Sequence, residues 1–312
     1  MKHPVALSER PLPELDGVLP LWPGEQVDRL FVRRGPAQGG EPALMVHGLG
    51  GSSANWTDLV GLLTGSVEAQ VVDLPGFGRS APPVDGRYTV GAHARAVVRH
   101  VEQSGRGPVH LFGNSLGGAV STRVAADRPD LVRTLTLVSP ALPNLRPKRG
   151  TDPRLPLLLL PGFRQLARRQ LLQQTPEQRA LAVLALCFAD MSRVPPERLA
   201  EAVAEVERRA ALPYAEEAFG ASLRGLVASY LVRGAEAPWE RAARVTAPTL
   251  LVWGARDRLV DVAIAPRAAA TYPDVRLLVL DGVGHVAQME RPELVARAFL
   301  GMQEQIAARR AA

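Results

Sequence analysis

One cysteine, Cys187, and two lysines, Lys2 and Lys148, are all that 312 residues hold of those types. A lone thiol excludes an internal disulfide framework and any metal site built from several cysteines. Cys187 lies in an apolar stretch, residues 181–188, and is read as part of a buried helix face. Neither lysine follows a glycine-rich strand end, so a Walker-type phosphate loop is excluded. Aromatic residues make up only 5% of the chain and no basic tract alternates with them, so the stacking surfaces of nucleic-acid binding are missing. Long apolar runs are missing as well. Residues 155–160 are apolar but short and bounded by prolines, well below the roughly 20 residues of a membrane span. The start of the chain has Lys2 and His3 but no apolar run before Glu9 and Glu14, which predicts a protein that is not exported and works in the cytoplasm.

The formal net charge is +6, carried almost wholly by arginine. Arginine, alanine, leucine and proline are all heavily used, the mark of a GC-rich coding sequence rather than of a selected basic patch. The densest cluster, Arg146, Lys148, Arg149 and Arg154, is read as a solvated loop. A hydrophobic content of 46% over this length is enough to bury a large core.

What is present is an early strand-like segment at 27–32, then a ladder of short apolar runs at 43–46, 69–72, 109–112, 135–138, 250–253 and 276–280. Most stop at Gly, Pro, Asp or Ser, as parallel strands buried on both faces do. Helical patterns at 93–102, 116–127 and 292–305 alternate with them. Such alternation predicts an α/β fold with a doubly wound, mostly parallel sheet. Three further helical stretches, 176–188, one starting at Pro196-Glu197 and 214–231, fall in the long interval between the fifth and sixth of these strand–helix repeats.

The run 109–112 ends in Gly113-Asn114-Ser115-Leu116-Gly117, directly before a helical segment. Flanking glycines let the chain turn with no Cβ in the way, so the Ser115 hydroxyl can project from the strand end as a nucleophile. Asp257 follows the strand at 250–253, and His285 follows the strand at 276–280. A serine, an acid and a histidine in that order, each past a strand's carboxyl end, converge on one site in an open α/β sheet. After the strand at 43–46 comes His47-Gly48-Leu49-Gly50-Gly51, a turn able to offer a backbone N–H to an oxyanion. The same run is a poor dinucleotide loop, because Ser53 stands where a third glycine is needed.

With these pieces in place the chain resembles the α/β-hydrolase superfamily. The resemblance rests on His47-Gly48-Leu49-Gly50, Asp73-Leu74-Pro75-Gly76-Phe77-Gly78-Arg79-Ser80, Gly113-Asn114-Ser115-Leu116-Gly117-Gly118, Trp253-Gly254-Ala255-Arg256-Asp257 and Gly284-His285. It implies a hydrolase core in two parts, 1–141 and 241–312, interrupted by a helical lid at 142–240. It also implies that Asp257, 28 positions before His285, is the acid of the triad. Asp261 is read instead as a cap of the next helix and Asp281 as a turn residue. His47 is expected to brace its loop, Asp73 to brace the 74–80 turn with Arg79, and His93, His100 and His110 to be structural.

The chemistry follows from the residue types. His285 takes the proton of Ser115 as it attacks a carbonyl, and Asp257 holds the imidazole in the required tautomer. The N–H groups of Leu49 and Leu116 form the oxyanion hole, each donor contributing about 3 kcal/mol. No metal or cofactor is needed. Trp56, Phe77 and Met289, with Leu157 to Leu160, Phe163 and Leu166 of the lid, are expected to line an apolar substrate pocket. The expected partner is a small-molecule ester or related apolar carbonyl compound, cleaved through an acyl-enzyme. Serine at position 115 disfavours the epoxide hydrolases and haloalkane dehalogenases of this superfamily, which use aspartate there. Two alternatives stand beside the esterase or lipase reading. Asn114 and Ala287-Gln288 resemble carbon–carbon bond hydrolases of ring-fission products, although Val286 and Met289 replace that group's usual tryptophans. A receptor-like member that binds a small ligand with little turnover is the other.

Overall fold

The computed structural model describes residues 2–144 and 173–312. The Arg146–Arg154 cluster and the expected lid residues Leu157 to Leu160, Phe163 and Leu166 lie outside the described residues. The strands are β1 Lys2–His3, β2 Gly24–Val27, β3 Leu30–Arg34, β4 Glu41–Val46, β5 Val67–Val72, β6 Val109–Asn114, β7 Val132–Val138, β8 Thr249–Gly254 and β9 Val275–Leu280. The helices are α1 Thr57–Leu62, α2 Val90–Ser104, α3 Leu116–Asp127, α4 Pro176–Cys187, α5 Pro196–Ala210, α6 Ala215–Tyr230, α7 Pro238–Ala243, α8 Ala265–Thr271, α9 Ala287–Glu290 and α10 Pro292–Ala311.

All strands join one sheet in the order β1-β9-β8-β7-β6-β4-β5-β3-β2. Pairing is parallel from β1 through to β5, with β3 and β2 antiparallel at the far edge. β1 is a two-residue bridge, so eight strands carry the sheet. Side chains alternate between its faces. Leu44 and Val46 pack with Val97 of α2 and Val120 of α3, whereas Ala43 and Met45 pack with Leu59 of α1 and Phe299 of α10. Each large apolar side chain buried this way contributes roughly 1.5–3 kcal/mol. This two-sided burial is why the strands read as unbroken apolar runs.

One expected element differs. Residues 27–32 form not one strand but the turn of the β2–β3 hairpin, where Val27 pairs with Leu30. Asp28 makes the turn at φ 54°, a conformation Asp tolerates better than most residues.

The chain order positions the site. After β4 the chain builds β5 on one side, then returns to lay β6 on the other side of β4. The direction of winding reverses between β4 and β6, and a crevice opens there past the strand ends. Helices α4 to α6 fall between β7 and β8 in sequence and rest on the core. Gly225 of α6 sits so close to α2's entry that a Cβ would lie 2.9 Å from Tyr88 O and from Thr89 Cα. Beside it Ser222 Oγ meets His93 Nε2 at 3.1 Å. Among the described residues no helix is long and apolar enough to cross a membrane.

The structural histidines link folding to pH. Burial lowers the pKa of His93 to about 3 and that of His100, bonded to Gln70 at 2.8 Å, to about 4. A histidine held neutral in the fold takes up its proton more readily once the chain opens. Stability from these two is therefore full above the unfolded value of 6.5 and drains as pH falls toward the folded values. Urea midpoints should fall steadily from pH 7 to pH 4.5, and His100→Gln should show a shallower decline than the parent chain.

Candidate active site

Ser115 stands between β6 and α3 with φ 53° and ψ −116°, outside the regions ordinary L-residues occupy. Such strain persists only where the surroundings over-determine it. Here they do. Its N–H donates to Val138 O at 3.1 Å, and its carbonyl accepts from Ala119 and Ala141 at 3.1 and 2.9 Å. The glycines around it have no room for a side chain. A Cβ on Gly117 would lie 2.3 Å from Val46 O, and one on Gly113 would lie 2.5 Å from Gly117 O.

Across the crevice the β4 loop comes up against this turn. A Cβ on Gly48 would fall 2.9 Å from Asn114 Oδ1 and 3.1 Å from Ser115 Cβ. Leu116 opens α3, so its N–H has no intrahelical acceptor. Among the described residues neither Leu116 N nor Leu49 N has an acceptor of any kind. Two unengaged N–H groups on the loops that meet at Ser115 are what an oxyanion hole requires.

The β4 loop is held from behind. His47 donates from Nδ1 to Gly48 O at 2.7 Å and accepts at Nε2 from Leu74 N at 2.9 Å, which makes it a neutral brace. Burial holds its pKa below the ordinary histidine range. Asp73 accepts from Ser53 N at 2.6 Å and from Arg79 N at 2.8 Å. It therefore braces the 74–80 turn through the backbone of Arg79; the Arg79 guanidinium lies over Phe31.

The histidine loop meets the serine turn through Asn114. Its Nδ2 donates both to Val138 O at 3.0 Å and to His285 O at 3.2 Å. His285 Nδ1 is 2.9 Å from Asp257 Oδ2, with both side chains buried. The other oxygen of Asp257 accepts from the N–H groups of Leu259 and Val260 at 2.8 and 2.9 Å. Burial works to raise the Asp257 pKa, but the His285 charge and hydrogen bond, with these two N–H donors, hold it below the usual carboxylate range. Asp261 makes no such contact. It accepts from Ala263 N at 2.9 Å and caps the short turn Val262–Ile264.

The pocket residues expected from sequence separate. Met289 is half-buried, with its sulfur 3.3 Å from Asn55 Nδ2, and packs near Val286 and Phe188. Phe77 is buried between the rings of His47 and His93, at centroid distances of 5.7 and 6.1 Å. Trp56 is not brought to the site. The 3-10 turn Ser53–Trp56 rolls its indole inward, where it is fully buried edge-on to Phe112 on the α1/α10 face. Two residues at the site escaped the sequence reading. Arg209 of α5 donates to Gly50 O at 2.8 Å, and Glu290 is a buried carboxylate beside the histidine loop.

The sequence profile of the α/β hydrolase fold matches residues 42–292. A protein of Variovorax paradoxus assigned as a carbamate hydrolase is 30% identical, over 88% of this chain and 95% of its own. The dihydrolipoyllysine-residue acetyltransferase component of the acetoin cleaving system of Cupriavidus necator is 30% identical over 85% of this chain, which spans only 64% of that protein. A monoacylglycerol lipase of Xenopus laevis is 26% identical over 86% of this chain and 76% of its own. The crystal structure of a protein described as a lipase from Acinetobacter baumannii superposes with a TM-score of 0.73, covering 92% of each chain at 22% identity. Profile, relatives and sheet topology agree: this chain belongs to the α/β-hydrolase fold family.

Proposed function

We propose that the chain is a serine hydrolase that cleaves carboxylic esters with apolar groups through an acyl-enzyme. The observation that carries this reading is the buried His285 Nδ1–Asp257 Oδ2 pair at 2.9 Å, on a loop that Asn114 ties to the Ser115 turn. With Nδ1 engaged by Asp257, Nε2 is left to take the Ser115 proton as the hydroxyl attacks. The N–H groups of Leu49 and Leu116 receive the developing oxyanion. His285 then returns the proton to the leaving alcohol, and water, activated by the same imidazole, releases the acid. Helices α4 to α6 act as a lid whose inner face selects the substrate. The apolar side chains of Leu184, Phe188, Val286 and Met289, clustered beside His285, favour an apolar acyl or alcohol group. The monoacylglycerol lipase of Xenopus laevis, named for an ester substrate, fits the same reading.

A carbon–carbon bond hydrolase has one observation on its side. Such an enzyme needs a cation for its substrate's carboxylate, and Arg209 on Gly50 O forms no ion pair with any described residue. One of the features that resembled that group in sequence has another use here, and the other is buried. Asn114 spends its amide on two main-chain carbonyls, and Gln288 is fully buried away from solvent.

Two predictions follow from the proposed chemistry. A fluorophosphonate probe should label the parent chain and not Ser115→Ala. Asp257→Asn should lower kcat on the order of 10⁴-fold by favouring the wrong tautomer, while Asp261→Asn, a cap change, should stay within a few-fold. Labelling of Ser115→Ala, or the reverse ranking of the two aspartates, would overturn the triad.

The second concerns substrate. Along a series of p-nitrophenyl esters, kcat/KM should climb about three- to fourfold per methylene until the pocket is full, from roughly 0.8 kcal/mol per buried CH₂. A vinylogous diketone acid cleaved far faster than any ester, with Arg209→Ala abolishing that cleavage, would replace the ester reading by the carbon–carbon one.

A further inference from the structure

The main chain around His285 is gripped at three points, and only one belongs to the triad's neighbourhood as described so far. His285 O accepts from Asn114, His285 N donates to Cys187 O at 2.7 Å, and Gly284 N donates to Glu290 Oε2 at 2.7 Å. The last contact is the unusual one. The Glu290 side chain is entirely shielded from solvent, and burying a carboxylate costs several kcal/mol unless donors surround it.

Four donors do. Gly284 N and Ala189 N bind Oε2, at 2.7 and 3.2 Å; Asp190 N and Arg193 Nη1 bind Oε1, at 3.1 and 3.3 Å. An ionised carboxylate has about four acceptor sites, and all four are filled. Arg193 Nη1 also donates to Gly282 O at 3.1 Å, so it clasps the same loop one turn earlier. Three of the four donors come from the segment that follows α4, and the fourth is the residue before His285. That segment lies flush on the loop: a Cβ on Gly284 would sit 2.3 Å from Cys187 O and 2.7 Å from Ala189 N.

We propose that Glu290, with Arg193 as its counter-charge, is the positioning residue of His285. It fixes the backbone from which the imidazole projects and makes that position depend on how the segment after α4 is seated. The inference rests on His285 as the general base. Only a carboxylate fits the role. Glutamine would replace one acceptor oxygen with an NH₂ group and set it against two N–H donors, pushing the Gly284 amide or the 189–190 amides away.

A plain structural strut would lower stability and leave the chemistry of folded molecules alone, so the test counts turnover per functional site. For Glu290→Gln, kcat per fluorophosphonate-titrated serine should fall about 10- to 100-fold, the range a displacement of about 1 Å produces, with KM changed less than threefold. The downfield proton resonance of the His285 Nδ1–H bonded to Asp257 should broaden or vanish. Arg193→Met leaves the carboxylate in place and removes one donor, and should lower kcat several-fold in the same pattern. Should Glu290→Gln fail to fold, Arg193→Met decides. Parent-level kcat per titrated site in every variant that folds overturns the inference. His285→Ala separates the two levels: if it keeps parent activity, the general-base reading has failed, whereas an inactive His285→Ala beside unchanged Glu290 and Arg193 variants removes only the positioning role.

Discussion

The crowding at Ser115 is the constraint from which the rest of the structure can be derived. Its backbone, at φ 53° and ψ −116°, is held because β6, β4 and the start of α3 approach one another more closely than side chains allow. Gly113, Gly117 and Gly48 are therefore obligatory in space, each lying where a Cβ would press on main chain or on the serine turn itself. This close approach exists because β4 and β6 are neighbours at the reversal of winding, and it brings the unengaged N–H groups of Leu49 and Leu116 to the same serine. Strand order and turn chemistry are one requirement here, not two.

The inserted helices are tied to that core both by polar contacts and by apolar packing, Leu226, Phe219 and Tyr230 of α6 joining the main core. Arg209 reaches Gly50 O on the loop after β4, Cys187 O receives the His285 amide, and the side chains of Ser222 and His93 meet under α6. A second, smaller apolar cluster at the seam has Leu184, Phe188 and Val286 at its centre. A main-chain hydrogen bond contributes only about 0.5–1.5 kcal/mol net. Such contacts fix the geometry of the seam.

Much of this was legible in the chain. Ser115, Asp257 and His285 could be found because each depends on a local pattern, an apolar strand followed by a short turn of defined residues. The strands were visible because two-sided burial leaves them uniformly apolar. What could not be read depends on partners distant in sequence. Glu290 gains its meaning from Ala189 and Arg193, roughly a hundred positions away, and Arg209 from Gly50 at 159. Trp56 misled because nearness in sequence to the oxyanion loop says nothing about the direction a 3-10 turn sends its side chain. At Asp28 one expected strand hid a reversal, although Asp28 and Arg29 interrupt its apolar residues.

The one thiol occupies an instructive place. Cys187 ends α4, its carbonyl holds the His285 amide, and burial with the nearby Asp257 charge pushes its pKa up to about 12. At neutral pH it is kept as the protonated thiol, a weak nucleophile although the residue is only half-buried. With no other cysteine in the chain to compete for reagent, any alkylation reports on this one position, at the helix end that borders the His285 loop.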